Sequence, residues 1–514
     1  MSQFKQRKTE PANAREPEPR KFYLQHAVLI VLAIVFMTVV VFVSTGASAE
    51  QEGTGALLIV LDETEPTIAL SNRTVSAVTE APVAIEGETP EEMADFALQA
   101  DPTQLAVCAP DDAVYSVQVQ SLSGFTDTVT LSLSGEPLIT TVEFLPNGVA
   151  APYTSTMTIS DTGSANVGSY DMEISGMSVS VTHTITVSLD LNSAPGTAVL
   201  SSPSNDAVDI STSPLFVWQA ASQGISYTIE VDDDPGFTSI DYSATVTGTT
   251  QHMTESHLDQ WTKYYWRVRP ANFCGTGSTS AVFSFTTRDI PPVLLVDDDD
   301  NDPPVQAIYT ATLDVLLGAG GYDIWYTFNS DVEPDADFLS AYDAVIWFTG
   351  AEYHSPAGPG DAGEAALATW LDNSGCLFLS STDYHWAKGR PDLTPFMEDY
   401  LGVEDVTDDT GQWTATGQNA VFAGLGPYTL VYAWVDYSDE INPDGTAEVA
   451  FSGTNPKGAN RNAAVNKQGA TYVTAFLGFP WEAIDTAGGR EEVLATFLNW
   501  CAEYDIFLPL LMNS

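Results

Sequence analysis

Between residues 93 and 193, apolar and polar residues alternate with a period of two, which is typical of strands with one buried face. Three such runs cover residues 115–119, 129–133 and 181–191, and Gly, Pro, Asn and Asp separate them. Short alternating strands with turn residues at this spacing predict an all-β sandwich. His183 lies on the apolar side of the last run, where we expect a packed core or edge residue rather than a ligand.

Residues 194–289 continue the alternation and add the aromatic positions of a second sandwich. Trp218 is expected to fill the core between two sheets, with Tyr264 and Trp266 pointing inward. Over its full length this segment resembles a fibronectin type III domain, and residues 93–193 resemble immunoglobulin-like accessory domains of secreted bacterial enzymes. The first resemblance implies that the Tyr264 hydroxyl bonds to upstream backbone. It also implies that the acids at 232–234 form a hairpin turn rather than a metal site.

From residue 290 to 508 short, uniformly apolar runs alternate with stretches of helical spacing. The predicted strands cover residues 293–296, 322–328, 344–348, 376–379, 447–451 and 472–479. The predicted helices cover residues 305–317, 338–342, 364–371, 393–401 and 490–504. Apolar strands separated by helices indicate a mostly parallel sheet covered on both faces. The right-handed crossover rule then predicts an α/β, doubly wound, flavodoxin-like order after two all-β sandwiches.

The amino-terminal segment predicts export. Residues 27–43 are almost wholly apolar, basic residues precede them, and Ala47-Ser48-Ala49 follows. This pattern fits a signal peptide cleaved after Ala49, or an uncleaved signal anchor within residues 22–45. Either way the body lies outside the cytoplasm, extracellular or at the cell surface. Residues 50–92 are interpreted as a linker or stalk, and the apolar residues 509–514 as a tail or a final edge strand.

The charge balance excludes two classes of partner. The chain has 17 Lys and Arg against 69 Asp and Glu, a net charge of −52, and neither Lys nor Arg occurs between Arg73 and Lys263. Phosphate backbones and anionic lipids both require clustered cations. We therefore expect no nucleic-acid partner, and contact with a membrane only through the amino-terminal segment.

Four cysteines show no metal or redox spacing. Cys108 and Cys274 fall in separate predicted domains, so each is expected to be a lone buried thiol. Cys376 and Cys501 share a domain, and their pairing stays open.

Polar residues follow the predicted parallel strands at the edge where open α/β sheets bind ligands. The predicted ligand rim comprises Asp297, Asp298, Glu352, His354, Asp383 and Trp481. Candidate catalytic residues are Ser381, His385 and Glu482, and candidate metal ligands are Asp297, Asp299, His354 and His385. No zinc spacing is present, so no cofactor is expected, while the acidic run at 297–302 leaves a loose calcium site open.

Residues 292–505 resemble the class I glutamine amidotransferase-like superfamily in element order and ending. Its active members use a Cys on a tight strand-to-helix turn and a His-Pro-Glu sequence. The matching segments here are Leu379-Ser380-Ser381-Thr382-Asp383 and Phe479-Pro480-Trp481-Glu482, so the thiol and the imidazole are replaced. The resemblance therefore implies a degenerate domain without acyl transfer.

The favoured hypothesis is a surface protein that binds an extracellular polysaccharide or protein partner without turnover. The alternative is a hydrolase or metal-dependent enzyme at the strand-end rim, although the chain lacks G-x-S-x-G and H-E-x-x-H motifs. That alternative requires Glu352, His354, Asp383, His385 and Glu482 to lie within a few ångströms of one another. A third hypothesis is an accessory or inhibitory partner of a separately encoded protease.

Overall fold

The computed structural model describes residues 93–300, 303–327, 332–353, 357–389 and 391–503. The predicted signal segment, the stalk and the tail at 509–514 lie outside the described residues. Within those five ranges, no helix is both long and apolar enough to cross a membrane.

The first two sheets form a β-sandwich. Its strands are β1 (Asp95–Asp101), β2 (Gln104–Cys108), β3 (Ala113–Leu122), β4 (Thr128–Ser134), β5 (Thr141–Leu145), β6 (Val149–Ala150), β7 (Tyr153–Ser160), β8 (Gly168–Met177) and β9 (Thr182–Asn192). One sheet has the order β1-β3-β7-β5 and the other the order β2-β9-β8-β4-β6. Only the β2–β9 pair among these strands is parallel.

The alternating pattern places the core of this sandwich as predicted. Tyr115 and Val117 are buried between the sheets, and the Tyr115 hydroxyl donates to the Ser188 carbonyl oxygen, 2.8 Å away in the opposite sheet. His183 of β9 is half-exposed; its Nε2 lies 2.7 Å from Asp95 Oδ1 and its ring packs against Phe96 with centroids 4.8 Å apart. It is therefore packed, as expected of a core or edge residue.

A second β-sandwich follows. Its strands are β10 (Val199–Ser202), β11 (Ala207–Ile210), β12 (Leu215–Gln219), β13 (Ser226–Asp232), β14 (Tyr242–Thr247), β15 (Gln251–Met253), β16 (Lys263–Asn272), β17 (Gly275–Thr276) and β18 (Phe283–Thr287). One sheet has the order β10-β12-β15, and the other has the order β11-β18-β16-β13-β14 with β17 paired to β16. Strands β14 and β15 therefore lie at sheet edges.

Aromatic side chains fill this second core. Trp218 of β12 and Trp266 of β16 are buried together with the ring of Tyr264. The Tyr264 hydroxyl accepts a hydrogen bond of 3.1 Å from the backbone N–H of Asp259. This bond is the tie to upstream backbone that the sequence predicted.

The remaining strands belong mainly to one large sheet. They are β19 (Val293–Asp297), β20 (Tyr322–Tyr326), β21 (Ala344–Phe348), β22 (Gly375–Ser380), β23 (Val403–Thr407), β24 (Thr414–Gly417), β25 (Tyr428–Thr429), β26 (Glu440–Pro443), β27 (Ala447–Thr454), β28 (Asn460–Gln468) and β29 (Tyr472–Leu477). The helices are α1 (Gln306–Leu317), α2 (Ala336–Leu339), α3 (Asp361–Asp372), α4 (Tyr384–Ala387), α5 (Pro395–Asp399) and α6 (Ala487–Glu503).

The large sheet is mixed. Its order is β20-β19-β21-β22-β29-β28-β27-β24-β25, while β23 and β26 form a separate pair. The first five strands are parallel and the last four are antiparallel. Because successive strand residues face opposite sides, Leu295 packs with α1 and α6, whereas Leu294 packs with α2, α3 and α5.

The prediction of a doubly wound, flavodoxin-like domain goes further than this architecture supports. Only three helices in the described ranges, α1, α3 and α6, have seven or more residues, and four of the nine strands are antiparallel. Sequence reasoning missed β28 because its apolar centre has only three residues and is flanked by Asn, Arg and Lys. The strands predicted at 322–328 and 472–479 end earlier, at Tyr326 and Leu477.

Two disulfides correct the account of the cysteines. Cys108, at the end of β2, pairs with Cys274 between β16 and β17, with Cα atoms 5.4 Å apart. The prediction of two lone buried thiols is wrong, because both residues are half-buried and the bond joins the two sandwiches. Cys376 pairs with Cys501, linking β22 to α6 with Cα atoms 6.0 Å apart. Their 166- and 125-residue separations explain why spacing was uninformative.

A buried polar contact joins the second sandwich to the large sheet. Arg288, just after β18, donates from Nη2 to Asp323 Oδ1 at 2.7 Å. The Tyr342 hydroxyl donates to the other oxygen of Asp323 at 3.0 Å. Nearby, the His257 ring stacks on Phe338 with ring centroids 4.2 Å apart. These contacts set the orientation of the second sandwich relative to the sheet.

Candidate functional site

The carboxyl ends of β21, β22 and β29 meet through hydroxyl groups. The Ser380 hydroxyl accepts the backbone N–H of Trp481 at 3.0 Å. Thr349, directly after β21, donates from Oγ1 to Ser381 Oγ at 3.0 Å. The Ser381 hydroxyl in turn donates to the carbonyl oxygen of Ala357 at 3.0 Å. The structure therefore brings these strand ends together, with Ser381 only 1% exposed.

Three aspartates follow β19 at the same edge. Burial raises the pKa of Asp297 to about 8, and the neighbouring charge of Asp299 adds to the effect. Burial also raises the pKa of Asp298 well above its usual value, although its carboxylate accepts the Trp347 indole N–H at 2.9 Å. Asp299 accepts the backbone N–H of Val305 at 2.6 Å, immediately before α1. Burial thus favours the neutral form of both the Asp297 and the Asp298 carboxyl groups.

Glu482 lies in the loop after β29 and contacts the first turn of α1. The Tyr309 hydroxyl donates to Glu482 Oε2 at 2.7 Å, and the Tyr309 ring stacks on Phe348 and contacts Trp481 at centroid distances of 4.0 and 4.5 Å. Burial raises the pKa of Glu482 to about 7, although the Tyr309 hydrogen bond opposes that shift. Glu482 Oε1 and Asp297 Oδ1 are buried and have no hydrogen-bond partner among the described residues.

His385, in α4, pairs with an acid that the sequence did not single out. Its Nδ1 lies 3.0 Å from Asp408 Oδ1, while its Nε2 is buried and reaches no hydrogen-bond partner within the described ranges. Asp383 accepts the Thr382 hydroxyl at 3.1 Å. Burial raises the pKa of nearby Asp439 well above its usual value, and the charges of Asp408 and Asp383 contribute. This arrangement orients an imidazole, and no nucleophile among the described residues is hydrogen-bonded to its Nε2.

The structure describes only one of the two remaining predicted rim residues. Glu352 is half-buried and accepts the backbone N–H of Tyr353 at 2.9 Å, and His354 lies outside the described residues. The gathering of Glu352, His354, Asp383, His385 and Glu482 therefore stays a prediction. Asp297, Asp299 and His385 belong to no described group of three or more side chains whose ligand atoms lie within 4.8 Å of one another.

One acidic group does meet that distance, in the β13–β14 hairpin. Ligand oxygens of Asp232, Asp233 and Asp241 lie within 4.8 Å of one another. However, both oxygens of buried Asp232 accept backbone N–H groups, from Asp234 at 3.0 Å and Ser239 at 3.2 Å. These bonds give Asp232 the turn-forming role that the sequence predicted.

Sequence reasoning missed Tyr309 and Asp408. Tyr309 lies within the predicted helix 305–317 but was not singled out, although a buried tyrosine hydroxyl generally requires a polar partner, and that requirement was an available signal. Asp408 follows β23 and carries no motif, so only the folded chain shows its contact with His385.

Comparisons with known proteins add little to this geometry. No protein-family model matches the chain, and no curated protein matches it. Similar solved structures include domains A168–A170 of titin (14% identity, TM-score 0.25, 38% of this chain and 66% of that one). Another is domains 4 and 5 of the S-layer protein SbsC (18% identity, TM-score 0.16, 19% of this chain and 51% of that one). A third is the FN1–FN3 domains of chicken CNTN1 (13% identity, TM-score 0.21, 35% of this chain and 65% of that one).

The chain thus spans about half to two thirds of those chains. The immunoglobulin-like and fibronectin-like sandwiches rest on the strand orders given above. Nothing in these comparisons supports the resemblance to the amidotransferase-like superfamily.

Proposed function

We propose that this chain is an exported, modular protein that recognises an extracellular polysaccharide or protein partner and catalyses no reaction. Its carboxy-terminal part is a degenerate relative of the class I glutamine amidotransferase-like superfamily. The parallel strands support this relationship. Numbered by their order in the sequence, the five strands β19, β20, β21, β22 and β29 lie side by side in the order 2-1-3-4-5. This order matches that of flavodoxin-like sheets only in the five parallel strands, not in the four antiparallel ones.

The observation that carries the proposal is the separation of hydroxyl and base at the strand ends. Serine hydrolases need a serine hydroxyl hydrogen-bonded to a base that a third group orients. Here Asp408 orients His385, but His385 Nε2 contacts no hydroxyl in the described chain. The Ser381 hydroxyl is instead bonded to Thr349 and Ala357. A buried serine held in this way is part of the fold rather than a nucleophile.

Two further features support the proposal, one bearing on export and the other on the class of partner. All four cysteines are paired, and stable disulfides are typical of proteins outside the reducing cytoplasm. The net charge of −52 favours a soluble surface and disfavours anionic partners. A neutral polysaccharide or a protein with a basic surface is the partner class that remains.

The proposal is tested by assaying the full-length chain on ester, amide and glycoside substrate panels. Ser381→Ala and His385→Ala are the test variants, and Ser169→Ala, an exposed residue of the first sandwich, is the matched control. We expect the wild type and all variants to match the buffer blank. In parallel, the chain should be retained on insoluble polysaccharides or on cells. Turnover lost in either test variant but kept in the control would refute the proposal.

A rim enzyme is the second candidate function, and one observation favours it. Three buried atoms at the strand ends, Asp297 Oδ1, Glu482 Oε1 and His385 Nε2, have no hydrogen-bond partner in the described ranges. Buried polar groups of this kind are costly unless water or a ligand satisfies them. The same substrate panels, repeated with added divalent cations, decide between the two candidates.

A further inference from the structure

A cavity of about 520 Å³ lies where the second sandwich meets the large sheet. It is lined by residues of β14 and β15, by the segment that follows each strand, and by Trp325 and Tyr326 at the end of β20. This volume falls within the roughly 300–1,000 Å³ of small-ligand pockets, which often occur at domain interfaces. The cavity shares no lining residue with the strand-end groups described above, although its Tyr326 is the strand neighbour of Asp297 in the large sheet.

Three sheet edges converge on this cavity. Strand β14 is the edge of one sheet of the second sandwich, β15 is the edge of the other, and β20 is the edge of the large sheet. An edge strand presents backbone N–H and C=O groups that no neighbouring strand pairs. The walls therefore alternate hydrogen-bond donors and acceptors on several sides.

The side chains add hydroxyl groups and apolar surface. Thr245 and Thr247 of β14 are exposed threonines, and Gln251 of β15 adds an amide. Trp325 is buried and donates its indole N–H to the Val332 carbonyl oxygen at 2.8 Å, so half-buried Tyr326 beside it provides the more accessible aromatic surface of the cavity. The lining thus combines polar groups with an aromatic wall, which suits a ligand that carries hydroxyl groups on an apolar ring.

Charge restricts the ligand further. Neither Lys nor Arg is among the residues that line the cavity in the described chain, whereas Glu255 is exposed at its margin. His252 adds no positive charge at neutral pH, because burial lowers its pKa and its Nε2 lies 2.5 Å from the Tyr242 hydroxyl. An anionic ligand would therefore meet only repulsion, and a neutral ligand is favoured.

We propose that this cavity binds one or two neutral sugar units of an extracellular glycan. This inference deepens the proposed recognition function and rests on it. A peptide strand added to an edge is the competing occupant, but a strand pairs along at most two neighbours. Here the three edges belong to three different sheets. Hydroxyl groups distributed around a sugar ring match donors and acceptors on all three.

The test uses the full-length chain and Trp fluorescence, with glucose, galactose, mannose, N-acetylglucosamine and their β-linked disaccharides as probes. Saturable binding of at least one disaccharide is expected. Thr247→Trp should weaken it at least tenfold by filling the cavity, and Gln251→Ala about threefold to tenfold by removing one hydrogen bond. Thr128→Trp, at an exposed threonine on β4, is the matched control and should bind as wild type does.

Two further arms separate the sources and the competing occupant. Retention on a polysaccharide of the same sugar, lost in Thr247→Trp, identifies a polymer ligand, whereas binding of the free disaccharide alone identifies a small sugar. Absence of sugar binding, or sugar binding that Thr247→Trp leaves intact, overturns the inference. Binding of the blocked tetrapeptide Thr-Val-Thr-Val in place of sugars also overturns it, in favour of strand addition.

These outcomes are distinguishable from failure of the proposed function. If Thr247→Trp keeps full retention on cells or polysaccharides, the cavity assignment is wrong while the recognition function stands. If the full-length chain hydrolyses a panel substrate in a Ser381- or His385-dependent way, the recognition function itself fails.

Discussion

Replacing Arg288 by Met should loosen the junction between the second sandwich and the large sheet. The substitution removes the guanidinium that lies 2.7 Å from the buried Asp323 carboxylate. Removing one partner of a buried ion pair typically costs about 3–5 kcal/mol, because the remaining charge stays desolvated. Asp323 keeps the Tyr342 hydroxyl at 3.0 Å, which places the expected cost near the lower end of that range.

The cost should depend on pH. Burial raises the pKa of Asp323 even with Arg288 present, and without Arg288 it should rise further. A carboxyl with a raised folded pKa favours folding at low pH, and that contribution is lost as the pH rises through the folded pKa. The penalty of Arg288→Met should therefore be larger at pH 8 than at pH 5, by up to about 1.4 kcal/mol per pH unit within the titration range.

The assay is urea unfolding at both pH values, combined with hydrogen exchange of β18 and β20 to locate the effect. Arg288→Met with Asp323→Asn removes both charges and should recover most of the loss. Arg461→Met is the matched control, because its 2.8 Å ion pair with Glu440 is more exposed and should be worth less than about 1 kcal/mol. A loss below 1 kcal/mol at pH 8, or a double variant no better than the single one, would refute this account of the junction.

Three other predictions follow from buried contacts. Between pH 5 and 8 the free energy of unfolding should fall less in Glu482→Gln than in wild type. The Glu482 carboxyl, with its pKa of about 7, gives wild type roughly 2–3 kcal/mol of stability at low pH that disappears as the pH rises. An equal fall with pH in both proteins, measured by urea unfolding, would contradict this. Cys108→Ser should lower the free energy of unfolding by about 3–5 kcal/mol, since the disulfide to Cys274 closes a span of 166 residues. If a thiol reagent labels both Cys108 and Cys274 in the unreduced wild-type protein, the disulfide is absent. Gly350→Ala should cost about 1–3 kcal/mol, because Gly350 has φ of +55° and an added Cβ would lie 2.9 Å from the Asp299 Cβ; an unchanged unfolding midpoint would contradict the close approach.

Local patterns in the sequence determined most of the secondary structure. Alternation with a period of two identified the two sandwiches, and Trp218, Tyr264 and Trp266 occupy the core positions that it predicted. The uniformly apolar runs identified the strands of the parallel part, including β21 at Ala344–Phe348 with both ends correct. These predictions succeed because the burial of a strand face depends on neighbouring residues in the chain.

The candidate site was only partly accessible to such reasoning. Ser380, Ser381 and Glu482 were placed at the strand ends because parallel strands end at one edge. Tyr309, the partner of Glu482, and Asp408, the partner of His385, were missed, since each comes from an element distant in sequence. The sugar cavity was also missed, because its walls are edges of three different sheets.

By itself, then, the amino-acid sequence determined the periodicity of each segment, the apolar run at residues 27–43 and the acidic charge. Only the tertiary structure decided that Cys108 meets Cys274, that Arg288 pairs with Asp323, and that the Ser381 hydroxyl donates to Ala357 while His385 pairs with Asp408. The physical reason is that periodicity reports which face of a strand or helix is buried. Contacts between residues far apart in the chain depend instead on how those faces are stacked and oriented in space.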